Sequence, residues 1–169
     1  MNKSLVFACI LLLTGIAACT AQPAANPQNE KTNPYYSHTD KNPVKVADAQ
    51  WKKVLIPKTY HIMREKGTEM ANTGPYVHNP KIGTYYCAAC GNALFASGTK
   101  FDSHTGWPSF YQPLPGNSVK QDKDADGFRD EVMCARCNGH LGHVFDDGPR
   151  PTGLRYCMNG YALYFEEGK

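Results

Sequence analysis

The chain has 169 residues and a formal net charge of +3, from 18 basic and 15 acidic side chains. This near-balance gives no electrostatic footprint for nucleic acid or acidic lipid, so we expect neither as a partner.

An apolar leader opens the chain. Lys3 precedes an apolar run over residues 5–18, which is too short to span a bilayer comfortably and is typical of a secretion signal. The run ends in Ala17-Ala18-Cys19, which resembles a bacterial lipobox, where a cysteine after small residues becomes lipidated. We therefore expect a lipoprotein signal peptide over residues 1–18 and lipidation of Cys19, with an ordinary secretory signal as the alternative.

Residues 19–46 are the predicted lipidated tether. They are rich in Pro and Asn and poor in aliphatic residues, so they lack the apolar surface needed to fold and are expected to be flexible. Thr20 stands where Asp would favour the inner membrane, so we expect an anchor in the outer membrane of a bacterial envelope. The folded domain would then lie outside the cytoplasm.

Residues 47–169 are long enough for one domain with a single core. Two helices are predicted first, over 47–55 and 57–66, because Pro57 suits a first helical position and Gly67 a C-terminal stop. Short apolar runs between turns follow, including 84–86 and 162–165, and indicate a mainly β domain with antiparallel pairing.

One acidic segment resembles part of a calcium-binding loop. Residues 122–127 match the start of an EF-hand loop, but its twelfth position is Met133, where a bidentate Glu is needed. We predict instead a hairpin turn between strands near Val119 and Val132.

Four cysteines form two matching C-x-x-C knuckles, Cys87 with Cys90 and Cys134 with Cys137. Two such knuckles can close a tetrahedral four-thiolate site around Zn²⁺, which leaves no open coordination position and so predicts a structural role. Two disulfides, or one redox-active pair, are the alternatives in an oxidising compartment.

Cys157 remains outside these pairs. An unpaired thiol in a chain that also carries the histidine pair His140 and His143 is a candidate nucleophile. The surrounding motifs occur in a distinctive order: Trp51-Lys52-Lys53, residues 60–69, Gly106-Trp107-Pro108-Ser109-Phe110, His140-Leu141-Gly142-His143-Val144-Phe145 and Arg155-Tyr156-Cys157-Met158-Asn159. With the two knuckles, this set resembles the type B methionine sulfoxide reductases over essentially all of residues 47–169.

The resemblance implies a fold and an activity. The fold would be two antiparallel sheets in a tent-like arrangement, with the N-terminal helices packed against it. The activity would be reduction of the R epimer of methionine sulfoxide in proteins through a cysteine sulfenic acid, here repairing oxidised envelope proteins.

The resemblance also assigns roles to residues. Cys157 would be the nucleophile, and Arg155 would favour its thiolate. His143, and next to it His140, would orient the substrate and supply the proton. The remaining predicted site residues divide into two groups: Trp107 and Phe110 for binding the substrate, and Asn159 and Asp147 for fixing water and histidine positions.

Thr105 stands where many members of the family carry a second, resolving cysteine. We therefore predict a one-cysteine cycle, in which an external thioredoxin-like thiol reduces the sulfenic acid, and we expect a monomer. Two other classes remain open: a zinc-ribbon-like binding module without catalysis, and a thiol-disulfide oxidoreductase that uses the C-x-x-C pairs.

Overall fold

The computed structural model describes residues 33–124 and 127–168. The predicted signal peptide, Cys19 and the first part of the predicted tether lie outside the described residues. Within the described part, no helix combines the length and the apolar character needed to cross a membrane.

Two short helices begin the domain, α1 (Asp48–Val54) and α2 (Pro57–Glu65). Pro57 occupies the start of α2, and Lys66 ends it in the left-handed conformation with φ 55°, which matches the predicted boundaries. Trp51 of α1 and Ile62 of α2 are buried, so both helices direct an apolar face into the core.

In residues 33–124 and 127–168, nine strands form two antiparallel sheets, as predicted. The smaller sheet has the order β2-β1-β9 and contains β1 (Gly83–Cys87), β2 (Ala93–Ala96) and β9 (Leu163–Glu167). The larger has the order β3-β4-β8-β7-β6-β5 and contains β3 (Lys100–Phe101), β4 (Ser109–Phe110), β5 (Val119–Lys123), β6 (Asp130–Cys134), β7 (His140–Phe145) and β8 (Arg155–Met158).

Residues 122–124 and 127 of the EF-hand-like segment lie in the β5–β6 hairpin, as predicted, while residues 125 and 126 lie outside the described residues. Val119 pairs with Cys134 and Lys123 with Asp130 in a regular antiparallel register. Met133 is therefore a strand residue, and the helices that an EF-hand requires on both sides are not present in the described parts of this hairpin.

Residues 33–46 differ from the predicted flexible tether, because they pack against both knuckles. The Asn33 side chain is fully buried and donates to the Ala89 carbonyl at 2.9 Å. Arg136, also buried, donates to the Tyr35 carbonyl at 3.1 Å and to the Asp40 carboxylate at 2.7 Å. Few aliphatic residues in the segment suggested a coil, but its backbone oxygens satisfy a buried guanidinium instead.

Candidate active site

Cys157 lies in the middle of the larger sheet, on β8. Its neighbours in register are His143 on β7 and Ser109 on β4. Directly opposed residues of antiparallel strands have Cβ atoms about 4.5–5.5 Å apart, so the His143 and Cys157 side chains share one face. Cys157 is partly exposed, whereas its β8 neighbours Tyr156 and Met158 are buried on the opposite face.

A cavity of about 150 Å³ opens over Cys157. Its walls come from the N-terminal segment, the loop before β4, and strands β7 and β8. The lining residues are Thr68, Trp107, Arg129, Gly142, His143, Phe145, Cys157, Met158 and Asn159. The cavity therefore combines an accessible thiol, a histidine and apolar surface, which are the parts needed to bind a thioether-like side chain and transfer a proton to it.

A tight loop holds Trp107 at the edge of this cavity. Gly106 before it has φ 89°, and an added Cβ would lie 2.8 Å from Ala71 and 3.0 Å from Asn72, so only glycine fits here. The Trp107 indole nitrogen donates to the Glu69 carbonyl at 3.2 Å, which fixes the ring plane.

His143 has a carboxylate partner that sequence reasoning missed. Its Nε2 lies 3.0 Å from Oδ2 of Asp124, and that carboxylate also pairs with Arg129 at 2.6 Å. Because a carboxylate only accepts hydrogen bonds, this contact places a proton on Nε2 and leaves Nδ1 as the ring nitrogen outside this contact. Asp124 belongs to the segment that resembled a calcium loop.

His140 belongs to a second, buried chain of polar groups. Its Nδ1 lies 2.7 Å from Glu131, whose other oxygen accepts from Lys66 at 2.6 Å. Its Nε2 has no partner among the described residues, and its ring centroid lies 5.3 Å from that of His143. Burial lowers the pKa of His140, while hydrogen bonds from Lys66 and His140 outweigh burial and hold the pKa of Glu131 below its usual range.

Asn159 and Glu69 join the N-terminal segment to the end of β8. The Asn159 side chain accepts from the Glu69 amide at 3.1 Å and donates to the Leu141 carbonyl at 3.1 Å. The Glu69 carboxylate accepts from the amides of Gly160 and Tyr161 at 2.7 and 3.1 Å. Burial raises the pKa of Glu69, whose carboxylate has a structural role that the sequence did not indicate.

Asp147 does not contact a histidine, contrary to its predicted role. It forms a two-point ion pair with Arg155, with both N–O distances at 2.8 Å. This hydrogen bond raises the pKa of Arg155 and lowers that of Asp147. Arg155 points to the same face of β8 as Cys157, and its guanidinium lies 4.3 Å from the Phe145 ring centroid. Asp147 therefore orients Arg155 beside the thiol.

Phe110 was predicted to bind substrate, but it is fully buried. Its ring stacks on Phe95 at 4.4 Å and meets Tyr85 edge-on at 4.9 Å, between the two sheets. It belongs to the core because alternation along β4 directs it away from the Cys157 face.

A chain of three hydroxyl side chains begins at Cys157. Thr105 Oγ1 lies 3.8 Å from Cys157 Sγ, Ser103 lies 2.8 Å from Thr105, and Ser109 lies 2.7 Å from Ser103. Each hydroxyl can donate and accept, so this chain can present either a donor to a thiolate or an acceptor to a thiol. Thr105 occupies the position where the resemblance places a resolving cysteine.

The four knuckle cysteines meet at one buried point. Their sulfurs lie within 4.8 Å of one another, with Cys87–Cys137 at 3.7 Å and Cys90–Cys134 at 3.6 Å. Thiolates about 2.3 Å from a shared tetrahedral ion lie roughly 3.8 Å apart, so the arrangement fits a four-thiolate metal site and is too wide for disulfides. The described cysteines are all free.

The burial of the four knuckle cysteines affects the protonation of their thiols. The knuckle cysteines are 0–2% exposed, and burial raises the pKa of the Cys87 thiol. At Cys134, burial is outweighed by hydrogen bonds from the other three cysteines, which lower its pKa, so the sulfurs alone favour a thiolate at Cys134 but not at Cys87. A cation is therefore needed to hold all four sulfurs as thiolates. Asn92, also buried, contacts Cys134 Sγ at 3.8 Å and supports the site from outside.

Comparisons with known proteins agree with this geometry. A family model described as the SelR domain matches residues 55–167. A peptide methionine sulfoxide reductase MsrB of Leptospira interrogans is 56% identical over 126 residues, 73% of this chain and 96% of that protein. An MsrB of Methanosarcina barkeri is 52% identical over 131 residues, 75% and 92% of the two chains.

A chloroplastic relative from Arabidopsis thaliana, peptide methionine sulfoxide reductase B1, is 56% identical over 121 residues, 70% of this chain and 59% of that protein. Among solved structures, the Mis18 Yippee-like domain is 19% identical with a TM-score of 0.40, over 53% of this chain and 99% of that one, a similarity too low to support a conclusion. On the family match and these sequence identities, the chain belongs to the SelR family of type B methionine sulfoxide reductases, as its motifs predicted.

Proposed function

We propose that this chain is a peptide-methionine (R)-S-oxide reductase. The observation that carries the proposal is the partly exposed Cys157 thiol on the floor of a small cavity, opposite His143 and beneath Trp107. Its relatives bear the name of this activity.

In the reaction, the Cys157 thiolate attacks the sulfoxide sulfur. The sulfur is reduced to a thioether, Cys157 is oxidised to a sulfenic acid that takes the oxygen, and one proton is consumed. His143 Nδ1 is the donor that we assign to the sulfoxide oxygen, with Asp124 holding the ring through Nε2. Arg155 stabilises the thiolate electrostatically from the same strand face.

Trp107 is the group that we assign to epimer selection. Its ring is fixed by the Glu69 carbonyl and borders the cavity, so it can pack against the methyl group of the bound side chain. With the methyl group against Trp107 and the oxygen toward His143, only one configuration at sulfur exposes its reactive side to Cys157.

Regeneration requires an external thiol. The other described cysteines are held in the buried knuckle, and Thr105 occupies the position next to Cys157. A first thiol attacks the sulfenic acid, forms a mixed disulfide and releases water; a second thiol then releases Cys157 and leaves with the first as a disulfide. A thioredoxin-like dithiol supplies both sulfurs.

We assign Zn²⁺ to Cys87, Cys90, Cys134 and Cys137, on the basis of their all-thiolate donor set and the distances between their sulfurs. The ion, when bound, supplies charge compensation that holds the knuckle folded. The burial of these sulfurs also speaks against dithiol exchange at the C-x-x-C pairs.

The leader sequence is the basis for the proposed location. Ala17-Ala18-Cys19 supports lipidation at Cys19, and Thr20 supports sorting to the outer membrane. We therefore propose a monomeric, envelope-anchored enzyme that repairs oxidised proteins outside the cytoplasm.

The deciding experiment is turnover of separated R and S epimers of a peptide methionine sulfoxide with excess dithiothreitol. Reduction of the R epimer alone, abolished by Cys157→Ser, is the expected result. Zinc-loaded wild-type protein that reduces neither epimer would favour a non-catalytic zinc-ribbon-like module.

A further inference from the structure

A second cavity adjoins the one over Cys157. It has a volume of about 320 Å³ and shares two wall residues, Arg129 and Phe145, with the first cavity. Its other walls come from the β5–β6 hairpin, the end of β7 and the approach to β8. They comprise Gln121, Phe128, Asp130, Val144, Asp146 and Leu154. The second cavity therefore lies within reach of residues that flank a methionine sulfoxide bound in the first.

Apolar surface is unusually open in this second cavity. The Phe128 side chain is 91% exposed, more than any other large hydrophobic residue among those the structure describes. Val144, which is buried, and Leu154, which is half-buried, line the same cavity. An exposed aromatic ring that shares a cavity with partly covered aliphatic side chains is typical of a surface that binds another apolar side chain.

Several charged side chains line or border the second cavity. Asp130 pairs with Lys123 at 2.7 Å, and Arg129 pairs with Asp124 at 2.6 Å. Asp146 is exposed and forms no ion pair with any residue in the described ranges 33–124 and 127–168. The uncompensated charge of the groove is therefore negative, which favours a cationic group on the occupant.

We propose that this second cavity is a subsite for residues that flank methionine sulfoxide in a protein substrate. It takes an apolar side chain against Phe128, Val144 and Leu154, and a Lys or Arg side chain toward Asp146. The assignment rests on the proposed reductase function, and it makes the enzyme selective for extended segments that carry both an apolar and a basic neighbour.

The test uses acetylated pentapeptides with one central (R)-methionine sulfoxide and otherwise alanine. Leu is placed in turn at each flanking position, and Lys or Glu is then added beside the best Leu. We expect one Leu position to raise kcat/KM about tenfold over alanine, equal to about 1.4 kcal/mol. Lys should exceed Glu at the added position, and Asp146→Lys should reverse that order.

Phe128→Ala should cancel the Leu preference while turnover of N-acetylmethionine sulfoxide stays unchanged. Ile82→Ala, at a residue 81% exposed outside both cavities, is the matched control and should retain the preference. Equal turnover of all pentapeptides would overturn the subsite but leave the reductase function intact, whereas no turnover of any substrate would refute the function itself.

The same variants test a second candidate occupant of this cavity, the protein reductant. If Phe128→Ala slows turnover supported by a thioredoxin but not by dithiothreitol, with the Leu preference intact, the groove binds the reductant and the subsite assignment is wrong.

Discussion

The two cysteine sites of this protein differ in access, and that difference assigns their chemistry. The knuckle sulfurs are 0–2% exposed, lie within 4.8 Å of one another and are enclosed by backbone turns. Cys157 is partly exposed, faces a cavity and has a histidine, a threonine and an arginine around it. The difference in access favours a metal-ligand role for the knuckle thiols and the nucleophile role that we propose for Cys157.

The role of each thiol depends on the groups that the fold places next to its sulfur. In the knuckle, each sulfur is surrounded by other sulfurs, so only a metal ion can stabilise four thiolates there. At Cys157, polar groups are arranged around one sulfur and leave its other side open. The knuckle also carries buried Arg136, which fastens residues 33–46 to the domain.

The largest effect is expected from breaking the knuckle. Cys134→Ser removes one of four ligands, and structural zinc sites contribute about 10–16 kcal/mol in isolated zinc-finger peptides, as much as the whole stability of a typical domain. We expect loss of bound zinc and of a cooperative thermal transition, measured by elemental mass spectrometry and circular dichroism.

Cys157→Ser is the matched control for the knuckle variant. It should retain one zinc ion per chain and the wild-type Tm while losing all turnover, because its side chain is a ligand to nothing. A Cys134→Ser protein that melts like the wild type would show that the knuckle is not the structural site.

The second prediction concerns the proton donor. His143→Gln should lower kcat by about 10²–10⁴, the usual contribution of a positioned general acid. Asp124→Asn keeps the shape but replaces a charged hydrogen bond, worth about 1.5–3 kcal/mol, and should cost roughly tenfold or slightly more. Steady-state kinetics on the R epimer measures both, and Asp102→Asn, at an exposed carboxylate, is the control.

Several parts of this site were predictable and others were not. Local patterns predicted the knuckles, both helices and the β5–β6 hairpin, because the spacing of Cys, Pro and Gly constrains nearby backbone. Asp124 and Glu131 could not be paired with their histidines from sequence, since those contacts depend on the register of β5, β6 and β7. Gly142 is an indirect signal of the register, because a Cβ there would lie 2.1 Å from the Cys157 carbonyl oxygen.

The errors have a common physical origin. Phe110 lies in a motif with Trp107, but strand alternation places it in the core. Asp147 was expected to fix water and histidine positions, yet its partner is Arg155 across the β7–β8 turn. Residues 33–46 contain few aliphatic residues, but hydrogen bonds with Arg136 fix part of the segment against the domain.

A substitution at Thr105 can give Cys157 a resolving cysteine while leaving the knuckle unchanged. Because Thr105 Oγ1 lies 3.8 Å from Cys157 Sγ, Thr105→Cys places a second sulfur within reach of the sulfenic acid. One equivalent of substrate without added thiol should then give an internal 105–157 disulfide, detected by non-reducing peptide mapping. Thr105→Ser is the control and should give none; a disulfide between Cys157 and a knuckle cysteine in the wild type would contradict the one-cysteine cycle.

The smallest effect expected is a change in the pH dependence of stability through His140. Burial lowers its pKa in the folded protein, so below about pH 6.5 the unfolded chain binds more protons and the free energy of unfolding falls as the pH falls. Glu131 has a lowered pKa, so its contribution is lost only at more acidic pH, below about 4.3. Urea unfolding at pH 5 and 7.5 should therefore show a smaller difference for His140→Gln than for wild type. His104→Gln, at a side chain 87% exposed, should retain the wild-type difference, and an unchanged difference in His140→Gln would place the titrating group elsewhere.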